Sequence, residues 1–203
     1  MSTKRILIIG CGRSGTEYIA TVLQKIGLDV PHEAVGLDGV VDWSFASRSD
    51  ETGIPVSLKY RDSFDPILHQ VRDPLKVMRS VFTLSKQTWT FICRNSRTEE
   101  FADPIRRAAE YWYYWNLQAQ QKAQWTYRIE ALPEVWPEFC SRIDIPNDAS
   151  VLQEIPTDIN ARSRPADKLY ERYRAITWKH VHEHAPEMLP KIIELATEYG
   201  YDM

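Results

Sequence analysis

Residues Arg5 to Gly27 constrain the chain more than any other stretch. Ile6-Leu7-Ile8-Ile9 is an unbroken apolar run, as a strand buried on both faces requires. A turn through Gly10-Cys11-Gly12-Arg13-Ser14-Gly15-Thr16 follows. Ile19, Val22, Leu23 and Ile26 then recur at helical spacing, and Gly27 supplies a stop. A strand, a glycine turn and a helix start make an anion trap. Free backbone N–H groups and the positive end of the helix dipole face whatever occupies the turn.

Three kinds of phosphate chemistry compete for that turn. A Walker A loop needs a lysine between the last glycine and the hydroxyl residue, and here Gly15 runs directly into Thr16. Gly10, Gly12 and Gly15 do spell the dinucleotide fingerprint G-x-G-x-x-G. Asp29 or Glu33 follows at about the right distance for a ribose. The third candidate is Arg13-Ser14-Gly15-Thr16 itself, which resembles the 5′-phosphosulfate loop of the P-loop sulfotransferases. That resemblance implies a metal-free sulfuryl transfer from 3′-phosphoadenosine 5′-phosphosulfate (PAPS), with the 3′,5′-bisphosphate PAP as product. It assigns Cys11, Gly12, Arg13, Ser14, Gly15 and Thr16 to the donor. A turn that only packs helix on strand is the plain alternative.

Length and charge set limits. At 203 residues the chain is long enough for one domain, 1–203, with a sizeable core. A net charge of −3 gives no basic footprint for nucleic acid or for an anionic membrane. Cys11, Cys93 and Cys140 lie far apart without metal-type spacing, which suits reduced thiols and a cytoplasmic protein. The first strand starts close to Met1, which leaves no room for a cleavable signal, and no segment reads as membrane-spanning.

Downstream, Leu28-Asp29-Val30 is a candidate second strand, followed by Pro31-His32-Glu33. A right-handed parallel unit would end both strands on one edge and set His32 and Glu33 beside the anion loop. Residues 34 to 66 read equally as a surface excursion or as an acceptor-facing flap. Ile67 to Val71 reads as the next buried strand, with Asp73 as N-cap and Pro74 as first residue of the helix beyond it.

The resemblance extends here, because Arg72-Asp73-Pro74 followed by Ser80 matches the family's R-x-P-x-x-x-x-x-S signature for the donor's 3′-phosphate. A guanidinium can fork onto phosphate oxygens, and Ser80 adds a hydroxyl. A helix is expected from Pro104 to about Trp125, with Tyr111-Trp112-Tyr113-Tyr114-Trp115 buried on several sides. The segment 127–132 is expected as a strand similar to the family's V-R-Y-E-D-L. Ile129 replaces its adenine-side tyrosine, and Trp125 or Tyr127 could substitute. Helices are expected over 133–143, 166–184 and 187–199. His180, His182 and His184 split between helix faces and read as surface residues.

The resemblance implies an α/β fold: a P-loop NTPase-like three-layer sandwich with a central, mostly parallel sheet, helices on both faces and a helical C-terminal part. It implies a catalytic set of Arg13, which stabilises the leaving phosphate, and Glu33 or His32 as base. Arg162 and Arg164 are the candidates for a late basic loop on the 3′-phosphate. The implied partner is a small-molecule or glycan acceptor. A Rossmann-type oxidoreductase and a non-catalytic nucleotide-binding protein of the same fold stand as alternatives.

Overall fold

The computed structural model describes residues 5–47, 64–156 and 175–203. Within them four parallel strands form one sheet in the order β2-β1-β3-β4. These are β1 (Ile6–Gly10), β2 (Gly39–Val41), β3 (Ile67–Val71) and β4 (Trp125–Arg128). Ile6 to Ile8 lie against Gly39 to Val41 on one side of β1, and Leu7 to Gly10 against Ile67 to Gln70 on the other. Leu68 to Val71 then pair with Trp125 to Arg128.

The period of two in β1 divides the core. Leu7 and Ile9 belong to a layer built with α2 (Pro74–Ser80), α3 (Lys86–Asn95), α4 (Pro104–Gln120), α7 (Trp178–His184) and α8 (Leu189–Glu198). Ile6 and Ile8 face the other way, onto α1 (Thr16–Lys25) and α5 (Leu132–Ile143). One further turn, α6, spans Val151–Glu154. The result is an α/β three-layer sandwich with helices on both faces of a parallel sheet. In α1 the residues Ile19, Val22 and Leu23 are fully buried, so truncating Leu23 to Ala would cost about 2–5 kcal/mol. No helix among the described residues is long and apolar enough to cross a membrane.

Several boundaries depart from the sequence expectations. The second strand is 39–41, not 28–30. Asp29 closes a loop on itself: its carboxylate accepts from the Leu37 N–H at 2.7 Å, and its own N–H donates to Asp38 at 2.8 Å. The Asp29 backbone is engaged within this loop, with its N–H on Asp38 and its carbonyl accepting from the Asp38 N–H, and not in a ladder. Gly39 opens β2 because a Cβ there would stand 2.0 Å from the Ile6 carbonyl oxygen. The segment 31–33 still reaches the sheet through a single parallel bridge, His32 to Val41.

The long aromatic helix stops at Gln120, since Gln124 and Trp125 already pair with β3. After Arg128 the chain leaves the ladder and makes a 3-10 turn, Ile129–Ala131. The helix after Pro74 stops at Ser80 and continues as a 3-10 turn over Val81–Thr83. Of the expected helix 166–184, its residues up to 174, with Arg162 and Arg164 before it, lie outside the described residues. His180 is used as a cap partner of Thr177, and His184 lies 3.2 Å from Asp103.

Candidate functional site

All four strands end on one edge of the sheet, and the residues just past those ends make the site. Cys11–Gly15 follows β1, Asp42-Trp43 follows β2, Arg72-Asp73 follows β3 and Ile129-Glu130 follows β4. Open parallel sheets bind ligands at this edge.

The loop after β1 is held in an unusual backbone conformation. Arg13 has φ 76° and Gly15 φ 88°, both left-handed, and a non-glycine residue pays for that geometry. Three contacts hold it. The Gly12 N–H donates to the Tyr111 hydroxyl at 2.7 Å, Arg72 Nη1 donates to the Arg13 carbonyl at 2.9 Å, and Gln70 Nε2 donates to the Ser14 carbonyl at 2.8 Å. The Ser14 N–H turns inward to the Cys11 carbonyl at 3.0 Å. The amides of Gly12 and Ser14 are therefore engaged within the protein. The amides that open α1, from Thr16 onward, have no preceding helical carbonyl and point out of the helix start.

The side chains of the loop divide by environment. Cys11 is buried in the core, where desolvation pushes its thiol well above the ordinary range despite a hydrogen bond from Tyr111. Ser14 is fully buried, and its hydroxyl has no hydrogen-bond partner among the described residues. Arg13 reaches the end of α2: Nε lies 3.4 Å from the Ser80 carbonyl, and the guanidinium also donates to the Thr83 hydroxyl. Ser80 thus adjoins Arg13 through its carbonyl. Asp73 caps α2 by accepting from the Lys76 N–H at 2.8 Å, and Trp112 Nε1 donates to the Arg72 carbonyl at 3.1 Å.

On the other flank, Thr16 Oγ1 and His32 Nε2 share a hydrogen bond of 3.0 Å. His32 Nε2 is 3.8 Å from Glu33 Oε1, and Trp43 Nε1 donates to that same oxygen at 2.8 Å. The Glu33 side chain is 53% exposed, so a solute can reach it. Asp42 sits beside them with its carboxylate accepting from the Ser44 N–H at 2.7 Å. Burial raises its pKa above the usual carboxylate value, and Ser44 works against that rise.

The structure therefore brings Cys11 to Thr16, His32, Glu33, Arg72 and Ser80 to one edge. Sequence reasoning missed Trp43, Gln70, Tyr111 and Thr83. Only Trp43 carried a signal, as the first aromatic residue after an apolar run that ends at this edge. Neither proposed substitute for the adenine-side tyrosine is available there. Tyr127 is buried, with its hydroxyl on Gln70 at 2.7 Å, and Trp125 pairs with Leu68, three positions back from the end of β4. Ile129 itself lies beside the loop, since a Cβ on Gly15 would stand 3.3 Å from its Cγ1.

The sheet order also differs from that of the dinucleotide fold, in which the third strand lies outside the second. Here β3 lies directly against β1. Of the two acids offered for a ribose, Asp29 is committed to its own loop, whereas Glu33 stays at the edge beside Trp43.

No protein-family model matches the chain, and no curated protein matches it in sequence. Among solved structures it is similar to the sulfotransferase domain from the curacin biosynthetic pathway. That match covers 95% of this chain and 97% of the other at 12% identity, with a TM-score of 0.57. A mouse sulfotransferase, SULT7A1 complexed with PAP, aligns over 100% of this chain and 86% of its own at 11% identity, with a TM-score of 0.46. The fold of this chain is of the sulfotransferase type.

Proposed function

We propose that the protein transfers a sulfuryl group from PAPS to a hydroxyl or amine on a small-molecule or glycan acceptor. One observation carries the proposal: two arginines from separate strand ends, Arg13 and Arg72, meet around a left-handed anion loop at the ligand edge of the sheet. A nucleotide with phosphates at both its 3′ and 5′ positions needs a cation for each, and these two arginines supply them.

In this mechanism the acceptor oxygen (or nitrogen) attacks sulfur. Its bond to sulfur forms as the bond from sulfur to the 5′-phosphate oxygen breaks, and PAP leaves. Such a transfer is catalysed by positioning and by stabilising charge on the departing oxygen. Arg13, the amides at the start of α1 and the dipole of that helix supply the stabilisation. Ser14 adds a buried hydroxyl that no described residue engages. The acceptor proton goes to Glu33, oriented by Trp43 and His32 on one oxygen while the other faces the acceptor. With His32 as the base instead, Thr16 would set its ring. Arg72 and Ser80 hold the 3′-phosphate, and Arg162 and Arg164 remain the candidates for its far side. The three cysteines are free thiols, which suits a cytoplasmic setting.

Thermal unfolding with ligands tests this. PAP at about 100 times its Kd should stabilise by about 2.7 kcal/mol, raising the midpoint by roughly 5–10 °C, while NAD should not. Labelled PAPS incubated with a cell extract should then label an acceptor. A midpoint indifferent to PAP would sink the donor assignment. PAP binding without any transfer would favour a binding protein of the same fold.

A further inference from the structure

Building on the donor assignment above, we infer that Tyr111 is a positioning residue for the 5′ end of the donor, holding the anion loop from the far side of the sheet. The loop is clamped at three successive residues: Gly12 by Tyr111, Arg13 by Arg72 and Ser14 by Gln70. Arg72 and Gln70 belong to β3 and its end. Tyr111 comes from α4, 99 residues away from its partner in sequence.

The core around Tyr111 holds it in place for this contact. It is fully buried, and its ring is fixed between Trp89 at 5.8 Å and Trp115 at 5.4 Å. A phenol hydroxyl has one proton and two lone pairs. This one accepts from the Gly12 N–H and lies in hydrogen-bonding contact with the Cys11 thiol. It thus engages both residues that lead into the left-handed Arg13. Gly12 is closely fitted to it: a Cβ there would stand 2.8 Å from the Tyr111 oxygen and 3.3 Å from Trp43.

A left-handed non-glycine residue persists where its surroundings over-determine it. Without the hydroxyl, the buried Gly12 amide loses its acceptor and the loop relaxes to find another. The donor would then have to restore the bound shape on binding.

The test compares two nucleotides. PAP carries the 5′-phosphate, whereas adenosine 3′-monophosphate lacks it and uses only the Arg72 corner. Calorimetric titration of Tyr111→Phe should show PAP bound about tenfold more weakly, with adenosine 3′-monophosphate within about twofold of wild type. Equal loss for both ligands would make Tyr111 a packing residue only, and unchanged PAP affinity would also overturn the inference. Wild-type protein that fails to bind PAP would instead remove the donor assignment and this inference with it. Hydrogen exchange on the wild type gives a check that needs no variant. The Gly12 amide should be protected in the ligand-free protein, and exchange at the rate of an open loop would refute the bond on which the inference rests.

Discussion

The guanidinium of Arg72 donates to the backbone carbonyl of Arg13 at 2.9 Å, so the arginine after β3 braces the arginine in the loop after β1. Arg13 in turn extends its own side chain to the end of α2, at Ser80 and Thr83. The two arginines come from different strand ends, and the Arg72 side chain links them through the Arg13 backbone. Under the proposed function Arg72 therefore has two effects to lose on substitution: a charge for phosphate and a brace for the loop.

Replacing Arg72 with Ala should weaken PAP by about 10- to 100-fold, the range for hydrogen bonds to charged groups. Arg72→Lys should recover only part of that, because an ammonium cannot serve the Arg13 carbonyl and a phosphate with the fixed fork of a guanidinium. Calorimetric titration with PAP measures both. A lysine variant with full affinity would show that charge alone matters at this position.

Glu33→Gln removes the proposed proton acceptor while keeping an oxygen for the Trp43 N–H. Sulfate transfer from labelled PAPS should fall by about 10²–10⁴-fold, and PAP affinity should stay within about threefold of wild type because the donor contacts are untouched. Turnover at the wild-type rate would move the base to His32. The matching substitution His32→Gln should then abolish transfer.

How far the residues announced this site depends on where each contact lies in sequence. The β1 loop was legible because strand, turn and helix are contiguous, and Arg72-Asp73-Pro74 was legible because a cap and a first-position proline are local signals. The position of His32 and Glu33 also followed from chain connectivity. The route was different, since β2 begins eleven residues later than Leu28. Its entry through Asp38-Gly39 reads as a turn, and only the backbone of Ile6, pressed against Gly39, makes that glycine part of a strand. Tyr111 and Gln70 could not be read at all. Their hydrogen bonds to the loop span 99 and 56 residues, and a buried aromatic on a helix looks the same from its sequence whether or not its hydroxyl is used.

Gln70 joins the loop to β4. It donates to the Ser14 carbonyl and accepts from the Tyr127 hydroxyl at 2.7 Å, and both bonds are buried. Gln70→Leu keeps the bulk and leaves both partners unsatisfied, at a cost of about 2–4 kcal/mol and a fall in melting midpoint of roughly 5–15 °C. Tyr127→Phe removes one of the two bonds and should cost about 1 kcal/mol. The double variant should be no worse than Gln70→Leu alone, because the bonds share a residue. Denaturant titrations of the three variants decide it, and strict additivity would mean that the network is not coupled.

His69 should make the fold sensitive to acid. It is fully buried in β3, between Thr126 Oγ1 and Asn116 Oδ1, each at 3.1 Å from a ring nitrogen. Burial pulls its pKa down from 6.5 to about 4, with the Asn116 contact opposing that shift. Between these values the unfolded chain binds a proton that the folded chain refuses. Stability should therefore be complete above about pH 6.5 and decline as the pH falls toward 4, by about 3 kcal/mol in total from this residue. Denaturant midpoints at pH 7.5 and pH 5 measure the decline. His69→Gln keeps a polar side chain without a titrating ring, so it should be less stable at pH 7.5 and lose less on acidification. An identical pH dependence in variant and wild type would place the acid sensitivity elsewhere.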